Sequence, residues 1–165
     1  MAKEVIKDCP ITLTSSFIRM PFVDNKKSIW YNRNGGYHSG IDIECRTVYA
    51  LCPCVCTYIG YDTNDKHVVI VQYDAYTSFR YANLATVSVA VNEIIPIETE
   101  IGTTYDGFVH FEYWNRTESE WIARVGKETY YKHDPYEYAV GNVEFDLSTE
   151  YDIEYDVDPD LQTLF

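Results

Sequence analysis

Two side chains four residues apart, His38 and Asp42, are of the types that bind a metal ion together. The residues between them are Ser-Gly-Ile, and neutral imidazole and carboxylate both suit zinc. Two ligands do not make a site, so a third must come from elsewhere in the chain. The best candidate is His110, because alternation along a strand would place Phe108, His110 and Glu112 on one face. Three protein ligands leave a fourth position for water, as catalytic zinc sites do.

The elements that must position these side chains are predicted to be strands. Runs rich in β-branched and aromatic residues alternate with turn signals, and no pattern indicates a helix of three turns or more. The predicted strands are 41–43, 47–59 with a break near Pro53, 67–73 with 77–84 as its hairpin partner, 87–91, 93–97, and 108–113 as the last core strand. Many short strands favour an all-β fold, an antiparallel β sandwich or barrel.

Two stretches before and between these strands lie outside this core pattern. Residues 1–14 are predicted to form a leading segment or edge strand. Residues 24–37 are polar and glycine-bearing, which is typical of a long loop, and its aromatic side chains could stack on a ligand or pack on the domain. These aromatic residues are Trp30, Tyr31 and Tyr37.

Charge narrows the classes of partner. The chain has 165 residues, enough for one domain with an appendage, and its net charge is −13, from 26 acidic and 13 basic residues. This charge disfavours nucleic acid, anionic membranes and polyanionic wall polymers. No run reaches the ~18 apolar residues of a membrane-spanning helix, and the first residues lack the apolar region of a signal peptide. We therefore expect that the protein is made in a cytoplasm and that it does not insert into a membrane.

The five cysteines fit a reducing compartment. Cys52, Cys54 and Cys56 alternate and would share one face of a strand, where three thiolates could bind a metal. Burial as small apolar side chains is the favoured alternative. Cys9 and Cys45 stand alone, and an odd count argues against a disulfide framework.

Several motifs along the chain resemble those of the lysostaphin-type (LytM-like) zinc endopeptidases, which cut peptide cross-bridges of bacterial cell walls. The similar motifs, in order, are Ser16-Phe17-Ile18-Arg19-Met20-Pro21, His38-x-Gly-Ile-Asp42, Thr47-Val48-Tyr49-Ala50, Tyr81-Ala82-Asn83-Leu84, Val109-His110-Phe111-Glu112 and Asp134-Pro135-Tyr136-Glu137-Tyr138. The resemblance implies the family's β-sandwich fold, a duplicated hybrid motif. It also implies zinc as a cofactor, with His38, Asp42 and His110 as ligands.

The resemblance fails at two positions. The family carries two further histidines that do not hold the metal and are thought to activate water and stabilise the oxyanion. This chain has Asn83 and Phe108 at those positions. Asparagine cannot shuttle a proton near neutral pH, and phenylalanine can neither donate nor accept one. Glu112 and Tyr81 are conceivable substitute bases, but neither occupies a family position that reaches the water. The resemblance therefore implies a degenerate, inactive or strongly impaired peptidase.

The resemblance divides the chain into residues 1–14, a peptidase-like domain over 15–141, and an acidic tail over 142–165. The tail has eight carboxylates and no basic residue. It fits a solvated end, or a segment that orders on a neighbouring subunit.

Three functions follow as alternatives. The first is a structural phage tail or baseplate subunit located in the virion, whose partners are other virion subunits. The second is an active zinc-dependent endopeptidase that has rewired its acid–base groups. The third is a peptidoglycan-binding or regulatory module without catalysis.

Overall fold

The computed structural model describes residues 4–23, 38–119, 121–125 and 127–147. These residues form a twelve-stranded antiparallel sheet and one short helix. The strands are β1 (Glu4–Cys9), β2 (Thr14–Met20), β3 (Ile41–Glu44), β4 (Thr47–Tyr49), β5 (Cys54–Tyr61), β6 (His67–Asp74), β7 (Thr77–Val87), β8 (Ile94–Ile95), β9 (Glu100–Thr104), β10 (Phe108–Asn115), β11 (Trp121–Val125) and β12 (Glu128–His133), and the helix is α1 (Tyr136–Ala139). The predicted all-β antiparallel class is confirmed.

The strand order brings the two parts of the site together. The main path is β1-β2-β3-β10-β7-β6-β5-β8, so β10 lies between β3 and β7 although β3 precedes it by more than sixty residues. The far end of β10 pairs with β12, which forms a hairpin with β11. The side strand β9 pairs with β4 and β7. β10 is thus contacted along its length by three strands.

Alternation along β10 separates two faces of the sheet. Val109 and Phe111 are fully buried in the main apolar core, where Phe111 stacks on Phe79 at a centroid distance of 5.6 Å. Trp114 points to the opposite face and joins a smaller apolar cluster with Tyr130. His110 and Glu112 share the Trp114 face. The sheet therefore carries its main core on one side and its polar side chains beside a second cluster on the other.

Most strand predictions are confirmed, including the break near Pro53 and the β6–β7 hairpin. Two are wrong. No strand covers 87–91: Val87 ends β7, residues 88–90 have no regular secondary structure, and a turn follows at 91–92. The run 108–113 is not the last core strand, because β12 extends the sheet beyond it. The alternation in β11 and β12 is interrupted by charged residues, so sequence periodicity gave no signal for that hairpin.

The three peripheral predictions have different outcomes. β1 is an edge strand, as one of the two predictions for 1–14 states. The predicted loop 24–37, with its three aromatic residues, lies outside the described residues. In the predicted tail, the Phe145 ring packs against Tyr138 and Tyr73 at centroid distances of 5.7 and 4.9 Å. That part of the tail therefore contacts the domain.

None of the helices in the described part of the chain has the length and apolar content to cross a bilayer.

Candidate metal centre

His38, Asp42 and His110 converge on one point. Strands β3 and β10 pair in a register that places Asp42 directly opposite His110. Asp42 Oδ1 lies 2.8 Å from His110 Nδ1 and 3.2 Å from His38 Nε2. Donor atoms of the three residues all lie within 4.8 Å of one another, and no other such group of His, Cys, Asp or Glu occurs among the described residues. The three residues singled out in the sequence are adjacent, and their role as metal ligands stays a prediction.

An outer hydrogen bond orients each imidazole. His38 Nδ1 lies 2.9 Å from the Pro21 carbonyl oxygen, and His110 Nε2 lies 2.7 Å from Glu112 Oε2. If each outer nitrogen donates its proton, the inner nitrogen presents a lone pair toward Asp42. Backbone pairing between Val23 and His38 fixes the position of the first ring further. Each imidazole is therefore held with one nitrogen toward its outer partner and the other toward Asp42.

Gly40 lets the ligand-bearing segment lie close to β10. A Cβ at this position would lie 2.4 Å from the Phe111 carbonyl oxygen and 3.1 Å from the His110 ring. Backbone cannot yield at such a distance, so any larger residue would push His38 and Asp42 away from His110. The glycine of the His-Ser-Gly-Ile-Asp run is therefore required for convergence.

The donor set fits zinc. Two imidazoles and a carboxylate are typical zinc ligands, and bonds of ~2.0–2.2 Å in a tetrahedron would hold them about 3.4 Å apart. Asp42 Oδ1 lies closer than this to both imidazole nitrogens, at 2.8 and 3.2 Å, so metal binding would move the carboxylate slightly outward. A zinc ion held here would lower the pKa of a bound water to about 7.

The charges of the cluster stabilise one another. Burial alone would raise the pKa of Asp42, but hydrogen bonds from His110 and His38 outweigh it and lower that pKa to about 2. Burial alone would lower the pKa of His110, but Asp42 and Glu112 raise it to about 9. The pKa of Glu112 is lowered despite burial, chiefly by its hydrogen bond to His110 and the nearby cations. The metal-free site therefore holds a proton on His110.

Glu112 is the most highly bonded side chain near the site. Its side chain is 1% exposed. Oε2 accepts hydrogen bonds from Ser39, Arg80 and His110, and Oε1 accepts them from Trp114 and Lys132. A carboxylate engaged in this way, with a lowered pKa, is a poor general base. Glu112 orients His110 instead.

Asn83 and Phe108, the two residues that the resemblance predicts to replace histidines, are both engaged in structural contacts. Asn83 has φ of 64°, and its Nδ2 donates to the carbonyl oxygens of Tyr105 and Phe108 at 2.7 and 2.9 Å. The Phe108 ring is covered by the Arg19 guanidinium, whose central carbon lies 4.4 Å from the ring centroid. Neither side chain can transfer a proton at this site.

A cleft of about 480 Å³ runs over these residues. His38, Asp42 and His110 form one part of its lining, and Asn83 and Phe108 form another. The predicted common face of Phe108, His110 and Glu112 is confirmed, since all three line this cleft. Tyr81 is fully buried in the main core and donates its hydroxyl to the Tyr49 carbonyl, so it is not a substitute base.

The cysteines behave as small core side chains. Cys52, Cys54 and Cys56 are fully buried and unbridged. Burial raises the pKa of Cys56 to about 12, and a hydrogen bond with Cys52 together with burial raises the pKa of Cys54. Cys54 and Cys56 are therefore buried thiols rather than thiolates, and none of the three cysteines belongs to the single candidate metal group of the described residues.

Sequence reasoning missed the outer partners. The position of Glu112, two residues beyond His110, pointed to a shared face, but nothing local linked it to Arg80 on β7 or Lys132 on β12. The partner of His38 is the backbone carbonyl of Pro21, and a backbone contact of this kind does not depend on the residue type and so cannot be predicted from the sequence.

Known proteins resemble this chain in structure rather than in sequence. No family model matches the chain, and the curated proteins give no match. The solution structure of lysostaphin superimposes with a TM-score of 0.55 at 17% identity, covering 75% of this chain and 50% of that chain. The chain has the lysostaphin-type fold. It spans half of the lysostaphin chain.

Two further structures share this lysostaphin-type fold. A chain of the SpoIIIAH–SpoIIQ complex has a TM-score of 0.60 at 16% identity, covering 82% of this chain and 99% of that one. CbpA from L. salivarius REN has a TM-score of 0.51 at 21% identity, covering 66% of this chain and 78% of that one. At these identities the likeness establishes the fold alone.

Proposed function

We propose that this chain is a degenerate lysostaphin-type peptidase-like domain. It holds a zinc ion at His38, Asp42 and His110, hydrolyses little or no peptide, and serves as a structural subunit of a bacteriophage tail or baseplate. The observation that carries the proposal is that the side chains of Asn83 and Phe108 make structural contacts and cannot transfer protons. The ligand set is complete, while the two positions expected to move protons hold side chains committed to structural contacts.

The chemistry of peptide hydrolysis explains the expected loss. A zinc-bound water can still ionise, but the reaction needs a proton carried to the leaving amine and donors aimed at the oxyanion. General acid–base help is worth ~10²–10⁴-fold, and one oxyanion donor is worth a further ~10²–10³-fold. The Asn83 amide N–H group is already directed at two backbone carbonyls. Loss of both contributions leaves a rate close to background.

The assembly part of the proposal rests on charge and on a precedent of the fold. A net charge of −13 and the carboxylates of residues 142–165 favour docking on a more basic partner subunit. The same fold occurs in a chain of the two-protein SpoIIIAH–SpoIIQ complex. A domain of this fold that does not catalyse a reaction can still bind a partner subunit in an assembly.

The activity test compares cell-wall hydrolysis by the wild-type chain and by Asp42→Ala, with and without added zinc. We expect no release of wall peptides from either protein, while wild type binds one zinc and Asp42→Ala loses at least ~100-fold in zinc affinity, more than typical outer-partner losses. Asp65→Asn at an exposed turn is the matched control. Zinc-dependent hydrolysis by wild type that Asp42→Ala abolishes would overturn the proposal.

Mass spectrometry of purified phage particles tests the proposed location in the virion. Absence of the chain from such particles would contradict the virion role.

A working zinc endopeptidase is the second candidate, favoured by the oriented ligands and the open cleft. It predicts measurable hydrolysis in the same assay. A wall-binding module is the third, favoured by the cations of the cleft lining, and predicts binding to wall fragments without cleavage.

A further inference from the structure

Two cations and one carboxylate meet on the floor of the cleft, beyond the candidate metal ligands. Arg80 Nη1 lies 3.2 Å from Glu112 Oε2, and Lys132 Nζ lies 3.0 Å from Glu112 Oε1. The two cations come from β7 and β12, on opposite sides of β10. Their side chains are 20% and 19% exposed, whereas Glu112 is 1% exposed. The cations are therefore accessible from the cleft, whereas the carboxylate between them is almost fully covered.

The cluster carries more positive charge and more donors than Glu112 can satisfy. One carboxylate balances one of the two cations. Its oxygens already accept from Ser39, His110 and Trp114 as well. An arginine has five N–H donors and a lysine three, and each contributes one group to Glu112. The cluster thus presents one excess positive charge, with donors, toward the cleft.

The acidic residues around Arg80 and Lys132 favour a ligand with a single carboxylate over a polyanion. Asp42 and Asp62 also line the cleft, and the whole chain carries a net charge of −13. These charges repel polyanions such as nucleic acid. A monoanion suits one excess positive charge, and arginine pairs well with the planar carboxylate group. The open cleft of about 480 Å³ has room for a few residues of extended peptide.

We propose that Arg80 and Lys132 form a subsite for the side-chain carboxylate of an acidic peptide lying in the cleft. Glu112 holds the two cations in place and links them to His110, so the subsite is adjacent to the candidate metal centre. The contacts of the subsite are made by protein side chains alone. The proposal therefore holds with or without a bound metal and independently of hydrolysis.

The test measures binding of two probes to the full-length chain in EDTA, where direct metal ligation cannot contribute. The probes are the capped peptides acetyl-Gly-Gly-Glu-Gly-Gly-amide and its Gln counterpart, followed by NMR chemical shifts. We expect the Glu peptide to bind roughly tenfold more tightly, as for one charge-assisted contact in a partly exposed cleft. Equal affinities of wild type for the two peptides would overturn the proposal.

Substitutions of Arg80 and Lys132 test whether the preference for the Glu peptide arises at the proposed subsite. Lys132→Gln and Arg80→Gln should each abolish most of the preference for Glu, whereas Arg80→Lys, which keeps the charge and is the gentler change for the fold, should retain part of it. Arg124→Gln removes an exposed cation from β11 and should leave the preference unchanged. A preference that survives Lys132→Gln and both Arg80 variants, or that Arg124→Gln removes equally, would contradict the assignment.

The carboxylate can come from a separate peptide or from the acidic stretch 150–160 of this chain. A full-length variant with the six acidic residues of that stretch changed to amides distinguishes the two sources. Tighter probe binding by this variant would assign the site to the chain's own stretch, and unchanged binding would assign it to a separate peptide. Either result supports the subsite, provided that the Glu peptide still binds more tightly than the Gln peptide.

Discussion

Two parts of one cleft differ in what their side chains are bound to. In the ligand part, His38 and His110 each have an outer hydrogen bond, to Pro21 and Glu112, that leaves an inner nitrogen facing Asp42. In the part that would move protons, Asn83 is bonded to backbone and Phe108 lies under Arg19. The contacts of the first part prepare a binding function, and the contacts of the second hold the fold together.

Under the proposed function, the site keeps its candidate ligand geometry without side chains that can transfer protons. The ligand part depends on a buried network around Glu112, and that network also stabilises the sheet between β10, β7 and β12. Removing it would cost stability as well as metal binding. Asn83 and Phe108 lie near the β9–β10 turn, where the Asn83 amide satisfies two backbone carbonyls whether or not a reaction takes place nearby.

Glu112→Gln tests the first part with the largest expected effect. It leaves Arg80 and Lys132 without their counter-charge, and breaking a buried network in this way costs roughly 3–5 kcal/mol of stability. Urea denaturation measures the change. The matched control is Glu128→Gln at an exposed ion pair with Arg116, which should cost less than about 1 kcal/mol. Similar losses for the two variants would mean that Glu112 is not the structural centre of the ligand part.

The pH dependence of stability tests the charges of the ligand part. The pKa of Asp42 falls from 3.8 to about 2 on folding, so its stabilisation is complete above pH 3.8 and disappears as the pH falls toward 2. The pKa of His110 rises from 6.5 to about 9, so its stabilisation is complete below pH 6.5 and disappears as the pH rises through 9. The shift of the Asp42 pKa corresponds to about 2 kcal/mol. The shift of the His110 pKa contains the same Asp42–His110 pair as well as the contact with Glu112, so the two contributions are not added.

We therefore expect the metal-free protein to be most stable between these limits, at about pH 4–6.5, measured by denaturation across pH in EDTA. Saturating zinc should remove the alkaline decline, because the ion replaces the proton on His110. Metal-free stability that does not change between pH 6 and 10 would contradict the His110–Asp42 interaction.

Asn83→Ala tests the second part with the smallest effect. It removes two hydrogen bonds and places alanine at φ of 64°, so we expect a loss of about 1–2 kcal/mol in stability and unchanged zinc affinity. Asn83→Gly is the matched control, because glycine tolerates this backbone conformation and isolates the hydrogen-bond contribution. A large loss of zinc affinity in either variant would mean that the two parts are not separate.

The sequence by itself determined most of the core strands and the candidate ligand types. Alternation in 67–73 and 77–84 predicted a hairpin, and alternation in 108–112 placed His110 and Glu112 on one face. The four-residue spacing of His38 and Asp42 indicated that the two side chains could bind one metal ion. These features are local, because side-chain direction in a strand follows from the period of two.

Only the tertiary structure decided what surrounds the ligands. The register of β3, β7 and β12 against β10 set Asp42, Arg80 and Lys132 around His110 and Glu112, over separations of up to 68 residues in the chain. The β11–β12 hairpin and the bonding of Asn83 depend on the same long-range pairing. Local periodicity carries no information about which strands become neighbours. The sequence therefore identified the three candidate metal ligands, but the folded sheet determined which partners orient them and which cations face the cleft.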